Sequence, residues 1–98
     1  EEMDRIPHCF PALLRTQKVQ KKLEKYDGTG ADREISCQRV QELLREVMEA
    51  ADDRKAAKSG EELLYEICNL LRLSGVNGEQ ALKDTLEARL DDRRKQSG

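Results

Sequence analysis

Ser36-Cys37-Gln38-Arg39-Val40-Gln41-Glu42-Leu43-Leu44-Arg45-Glu46-Val47-Met48-Glu49-Ala50-Ala51 is the stretch whose pattern decides the fold. Val40, Leu43, Leu44, Val47 and Ala51 recur at i, i+3, i+4, i+7 and i+11, which lines one face of a helix with apolar side chains. The spacing predicts a helix from residue 36 up to the charged run Asp52-Asp53-Arg54-Lys55. Beyond that run, Ser59-Gly60-Glu61-Glu62 has the form of a capping box, so a third helix is expected to start there. Its Leu63, Leu64, Ile67, Cys68, Leu70, Leu71 and Leu73 cover more than one face, which predicts the most buried helix of the chain. Gly75 supplies the left-handed residue that commonly ends a helix. Asn77, with Gln80 three residues on, caps a fourth helix whose Leu82, Leu86 and Leu90 form a narrow stripe before a charged end at 91–98.

Upstream, Pro11 suits the first turn of a helix, where its missing N–H would have no partner anyway. A first helix is expected over 11–25, with Phe10, Leu13, Leu14 and Leu23 as its apolar contacts. Asp27-Gly28-Thr29-Gly30-Ala31-Asp32 then breaks the pattern, since Gly and Asp favour turns. Four helices in 98 residues, with 3% aromatic residues and no Trp, give an all-α fold and a single domain over 1–98. A domain this small buries only about 60% of its unfolded-chain surface. The remedy when no disulfide or metal staples the core is oligomerisation, so the third helix is expected to be covered by a second copy.

Composition also excludes. Net charge is −2 with both signs interspersed, and no basic run is interleaved with aromatics, so nucleic acid is not an expected partner. No apolar stretch approaches the roughly 20 residues needed to cross a bilayer, and no signal-peptide pattern opens the chain. Cys9, Cys37 and Cys68 form no close pair and no CxxC, which points to a reducing cytoplasm and away from a disulfide framework or a thiolate zinc site. His8 is the only histidine, so zinc, Ser–His and Cys–His chemistry lack their parts. The first residue is Glu1 rather than Met, from which a piece of a longer chain is expected.

One constellation carries possible chemistry. Glu42, Glu46 and Glu49 fall within about 60° of one another around the second helix. Glu61, Glu62 and Glu66 on the third could form an opposite wall. Carboxylates on neighbouring helices suit Mg²⁺, a hard ion that keeps several waters and takes phosphate oxygens to complete its shell. The plainer reading is a solvated face, because the Glu42–Glu46 row lies opposite the apolar stripe of its own helix. There is no phosphate-cradling glycine loop, no GxSxG and no HExxH.

Ile6-Pro7, Pro11-Ala12-Leu13-Leu14-Arg15 and Gln17-Lys18-Val19-Gln20-Lys21-Lys22 resemble the opening of the MazG family of all-α nucleoside triphosphate pyrophosphohydrolases. The likeness is greatest to its C-terminal-type domain, including the version fused behind tetrapyrrole methylases. Tyr26-Asp27, the second helix over 40–50, Glu62-Leu63-Leu64-Tyr65 through Asn69-Leu70-Leu71-Arg72, Gly75 and Glu79-Gln80-Ala81-Leu82 continue it in order. The resemblance implies a four-helix domain assembling as a homodimer or tetramer, Mg²⁺ held by Glu42, Glu46 and Glu62, and nucleoside triphosphate touched by Lys18, Lys21 and Tyr26.

The chain departs from the family where metal would bind. Leu43 and Ser59 stand at carboxylate positions, and Leu86 and Ala88 stand where the last helix favours an Asn and a Lys. Two functions follow as expectations: a pyrophosphohydrolase domain with an eroded metal site, or a non-catalytic oligomerisation or nucleotide-sensing module. An unrelated helical adaptor is a third.

Overall fold

The structure, a computed structural model, describes residue 6 and residues 10–97. The readings placed on Pro7, His8 and Cys9 lie outside the described residues. Four helices follow in order: α1 (Ala12–Asp27), α2 (Arg33–Glu49), α3 (Asp53–Leu73) and α4 (Gly78–Ser97). Among the described residues there is no strand, as the composition predicts.

Short polar side chains set the boundaries. Asp32 begins α2 by accepting from the backbone N–H of Glu34 at 2.9 Å and of Ile35 at 3.2 Å, which satisfies donors left open at a helix start. Asn77 does the same for α4, accepting from Gln80 N–H at 3.1 Å as its spacing predicts. Gly75, at φ +77°, takes the left-handed turn after α3 that a side chain would strain.

The start of α3 corrects the sequence reading. The helix begins at Asp53, with Asp52 as its cap accepting from Lys55 N–H at 2.9 Å. The Ser59 capping box does not form, because Ser59 lies in the interior of a helix already under way. Ala56 and Ala57 carry the helix across the stretch assigned to a connection, as strong helix formers do.

α2 and α3 pack as an antiparallel hairpin, α1 lies on α3, and α4 touches α1 and α3. α3 is thus the axis that meets every other helix. Leu43 sits at the hairpin interface with 2% of its surface exposed; Val40 and Val47 beside it are half-buried. The other side of the α2 stripe is open, with Leu44 and Met48 exposed. Along α4 every residue over 82–96 is exposed. The Cα radius of gyration is 16.0 Å, against about 13 Å for a compact domain of 100 residues. A lone chain therefore leaves much of its apolar surface in water. No helix among the described residues is long and apolar enough to cross a membrane.

Candidate functional site

Clefts open at both ends of the hairpin, and different chemistry lines the two that border the candidate residues. At the turn end, Glu46 and Glu49 from α2 face Lys55, Lys58 and Ser59 from α3 across a cavity of about 400 Å³. Two carboxylates and two ammonium groups in one cavity cancel in charge. Glu62 lies one turn beyond Ser59 on α3, exposed to solvent. Glu42, a turn back from Glu46, accepts from exposed Arg39 at 3.2 Å.

Glu42, Glu46 and Glu62 are therefore all exposed and are not drawn into one cluster. Among the described residues no group of three or more His, Cys, Asp or Glu side chains is placed to hold a metal ion. Leu43 explains part of this. Its side chain is packed into the hairpin, so the carboxylate position it occupies in the MazG pattern faces α3 packing here and not a cleft. Mg²⁺ requires near-octahedral oxygen ligands at about 2.0–2.1 Å, and the acids as one chain arranges them do not fit that demand.

The other end of the hairpin is closed by hydrogen bonds. Asn69 Nδ2 donates to Gly30 O at 3.0 Å and to Ser36 Oγ at 3.5 Å, and Ser36 Oγ donates to Glu66 Oε1 at 3.2 Å. Arg72 donates to Asn69 Oδ1 through Nε and Nη2, reaches Gly30 O at 3.3 Å, and forms an ion pair with Glu24 at 3.4 Å. The α1–α2 loop is thereby tied to the middle of α3. Gly30 is needed there twice over: its φ is +74°, and a Cβ would meet Asn69 at 3.1 Å. Beside this network a cleft of about 280 Å³ runs between Gln20 and Leu23 of α1, Ile35 and Arg39 of α2, and Tyr65 of α3.

The remaining predicted contacts lie on α1. Lys18 stands over the Phe10 ring, 5.5 Å from its centroid, a cation–π arrangement. Lys21 is exposed, and Tyr26 is 71% exposed at the end of the helix. Asp27 follows, its carboxyl held below the ordinary range by the hydroxyl and backbone N–H of Thr29, both of which donate to it.

Sequence reasoning missed Gln17, Gln20, Ser36 and Asn69 as buried polar residues that join the helices. Gln17 Nε2 donates to Cys68 O at 3.0 Å and Val76 O at 3.2 Å, while its Oε1 accepts from Gly78 N–H at 3.0 Å. Burial pushes the neighbouring Cys68 thiol above its usual range. The available signal was an amide set among apolar residues, as in Cys68-Asn69-Leu70, which marks a buried polar group in need of partners.

No protein-family model matches the chain. A curated protein of Thermotoga maritima, "Nucleoside triphosphate pyrophosphohydrolase/pyrophosphatase MazG", is 32% identical over 78 residues, which cover 80% of this chain. The chain is related to the MazG family. Its four-helix, all-α architecture is consistent with a MazG-like domain. The matched residues make up 31% of the Thermotoga protein, so the chain spans about a third of that MazG relative.

Proposed function

We propose that this chain is a self-associating MazG-type domain that binds nucleoside triphosphate and retains only residual hydrolysis of it to nucleoside monophosphate and pyrophosphate. The observation that carries the reading is a contrast: likeness to a MazG protein runs over 80% of the chain, yet the acids that would hold the ion do not converge. Lys18 and Lys21 are the proposed phosphate contacts and Tyr26 a contact for the base. Any Mg²⁺ would be held weakly, through Glu42, Glu46 and Glu62, because the acids do not converge within one chain.

Self-association is supported by the leucine row on α4, where Leu82, Leu86 and Leu90 are 58%, 54% and 41% exposed. One row on a bare helix is what a second copy would cover. The free Cys37 and Cys68 thiols fit a reducing cytoplasm.

Pyrophosphate release from a panel of dNTPs with Mg²⁺, run beside the Thermotoga relative, tests the catalytic part. Turnover at least about 100-fold lower is expected, since even outer-shell partners of a metal site are worth about 10–100-fold; equal turnover would overturn the reading. Light scattering tests assembly: a stable monomer at micromolar concentration removes it, and Leu86→Glu should convert an oligomer to monomers.

The non-catalytic module is the second reading, favoured by the same lack of convergence. Ser59→Glu, which adds a carboxylate beside Glu46, separates the two. Gained Mg²⁺ affinity by calorimetry together with faster release marks a decayed enzyme, whereas no gain in an intact oligomer marks a scaffold.

A further inference from the structure

We infer that two copies of the chain pair through α4 in antiparallel orientation, with Leu86 on the two-fold axis and Glu79 of each copy set against the basic end of the other helix. The inference rests on the proposed self-association and adds which helix forms the seam, which way it runs and what fixes its register. The α4 row is symmetric about its centre in apolar residues and opposite in charge. Leu82 and Leu90 stand four residues either side of Leu86, and Glu79 and Arg93 stand seven either side. At 3.6 residues per turn all five project within about 40° of Leu86. A two-fold axis through Leu86 therefore lays Leu82 on the partner's Leu90 and Glu79 against the partner's Arg93, with Arg94 beside it. Symmetry makes each contact twice.

The whole helix repeats this polarity. Glu79, Asp84 and Glu87 with Lys83 leave residues 78–87 at a charge of −2, whereas Arg89, Arg93, Arg94 and Lys95 with Asp91 and Asp92 leave 88–97 at +2. A parallel pair in register would set like charge against like along its length. The antiparallel pair sets opposite against opposite and opposes the two helix dipoles as well. The row is also open to a partner. Gly78 is buried and Ala81 half-buried, whereas every residue over 82–96 is exposed. Ala81 projects about 140° away from Leu86, so the docking of α4 on its own subunit and the leucine row use different sides of the helix. Arg94 is paired with Asp91 at 3.0 Å, both exposed; an exposed pair of this kind contributes little, so the partner's Glu79 can compete for the guanidinium.

Charge exchange in the whole chain tests the orientation. Glu79→Lys turns both end contacts from attraction to repulsion, and on the scale of exposed ion pairs the dissociation constant from sedimentation should rise about tenfold. Adding Arg93→Glu and Arg94→Glu to that variant brings opposite charges together again. It should return the constant to within about threefold of the parent, although all three changes oppose the helix dipole. Salt at about 1 M, which screens beyond roughly 3 Å, should remove most of the difference between the parent and Glu79→Lys. In a mixture of leucine-labelled and unlabelled copies, isotope-filtered NMR should connect the Leu82 methyls of one copy with the Leu90 methyls of the other.

A Glu79→Lys chain that associates like the parent, or a triple variant that stays weak, overturns the orientation, as do contacts of Leu82 with the partner's Leu82. An oligomer in which the α4 leucines meet no other copy overturns the seam and leaves the proposed self-association standing. A monomer at micromolar concentration removes both.

Discussion

α3 and α4 are nearly equal in length, 21 and 20 residues, and both carry leucines, yet one is the axis of the molecule and the other lies almost bare. The difference is width. Leu63, Ile67, Cys68, Leu70 and Leu71 wrap around α3, so it can meet α1, α2 and α4 at once. Leu82, Leu86 and Leu90 give α4 one narrow row, four residues apart, and no described residue of the chain covers it. Leucine content alone therefore does not decide burial; the angular spread of the leucines does.

Four perturbations sharpen or break that comparison. Leu43→Glu has the largest expected effect, because it puts a carboxylate where α2 meets α3: a loss of at least about 3 kcal/mol, the scale of an uncompensated buried charge. Thermal melting by circular dichroism checks it. A melt close to the parent's would place position 43 on an open face and restore it as a metal-ligand position.

Gln17→Leu comes next. It strands the Gly78 N–H and the Val76 carbonyl, at about 2–3 kcal/mol for the lost bonds. Hydrogen exchange should quicken at the start of α4 while the α2–α3 amides stay protected; equal loss in both would mean that the two regions are not separable.

Asp52→Ala should cost about 1 kcal/mol by removing a helix cap. Faster exchange confined to the first turn of α3 is the readout, and an unchanged turn would return the helix start toward Ser59.

Asp27→Asn should do least. Because the folded carboxyl is held below its ordinary range, its contribution is complete at neutral pH and disappears as pH falls through that lowered value. The difference in melting temperature between parent and variant should therefore close in acid. A difference that is independent of pH would remove the Thr29 contact as its cause.

Much of this was legible in the sequence. The α2 stripe placed Leu43 on the buried face, and Asn77 marked the start of α4. The two halves of the reading pulled apart at position 43: periodicity put it in the core, while alignment to the MazG pattern put it among the acids, and packing resolved the conflict in favour of the core. The beginning of α3 was misjudged because Asp52-Asp53-Arg54-Lys55 resembles a charged linker, whereas its first aspartate is a cap. The contacts of Gln17 and Gln20, and those of Asn69 with Gly30 and Ser36, join residues 33 to 61 positions apart. Local pattern carries no information at that distance, and neither does it reveal that Lys55 and Lys58 share a cavity with Glu46.

The Gln17 clamp and the contacts with α1 and α3 hold the first turn of α4, and the residues from Leu82 on are exposed. At 1.5 Å per residue a helix of this length is a rod about 30 Å long, anchored at one end. A swing of only about 10° at the anchor carries the far tip some 5 Å, by the same rise per residue. In the proposed self-association, the angle at which two copies meet would then be set by their mutual fit rather than by either chain alone. Mutations near Gly78 would thus change quaternary geometry far more than they change the fold of a subunit.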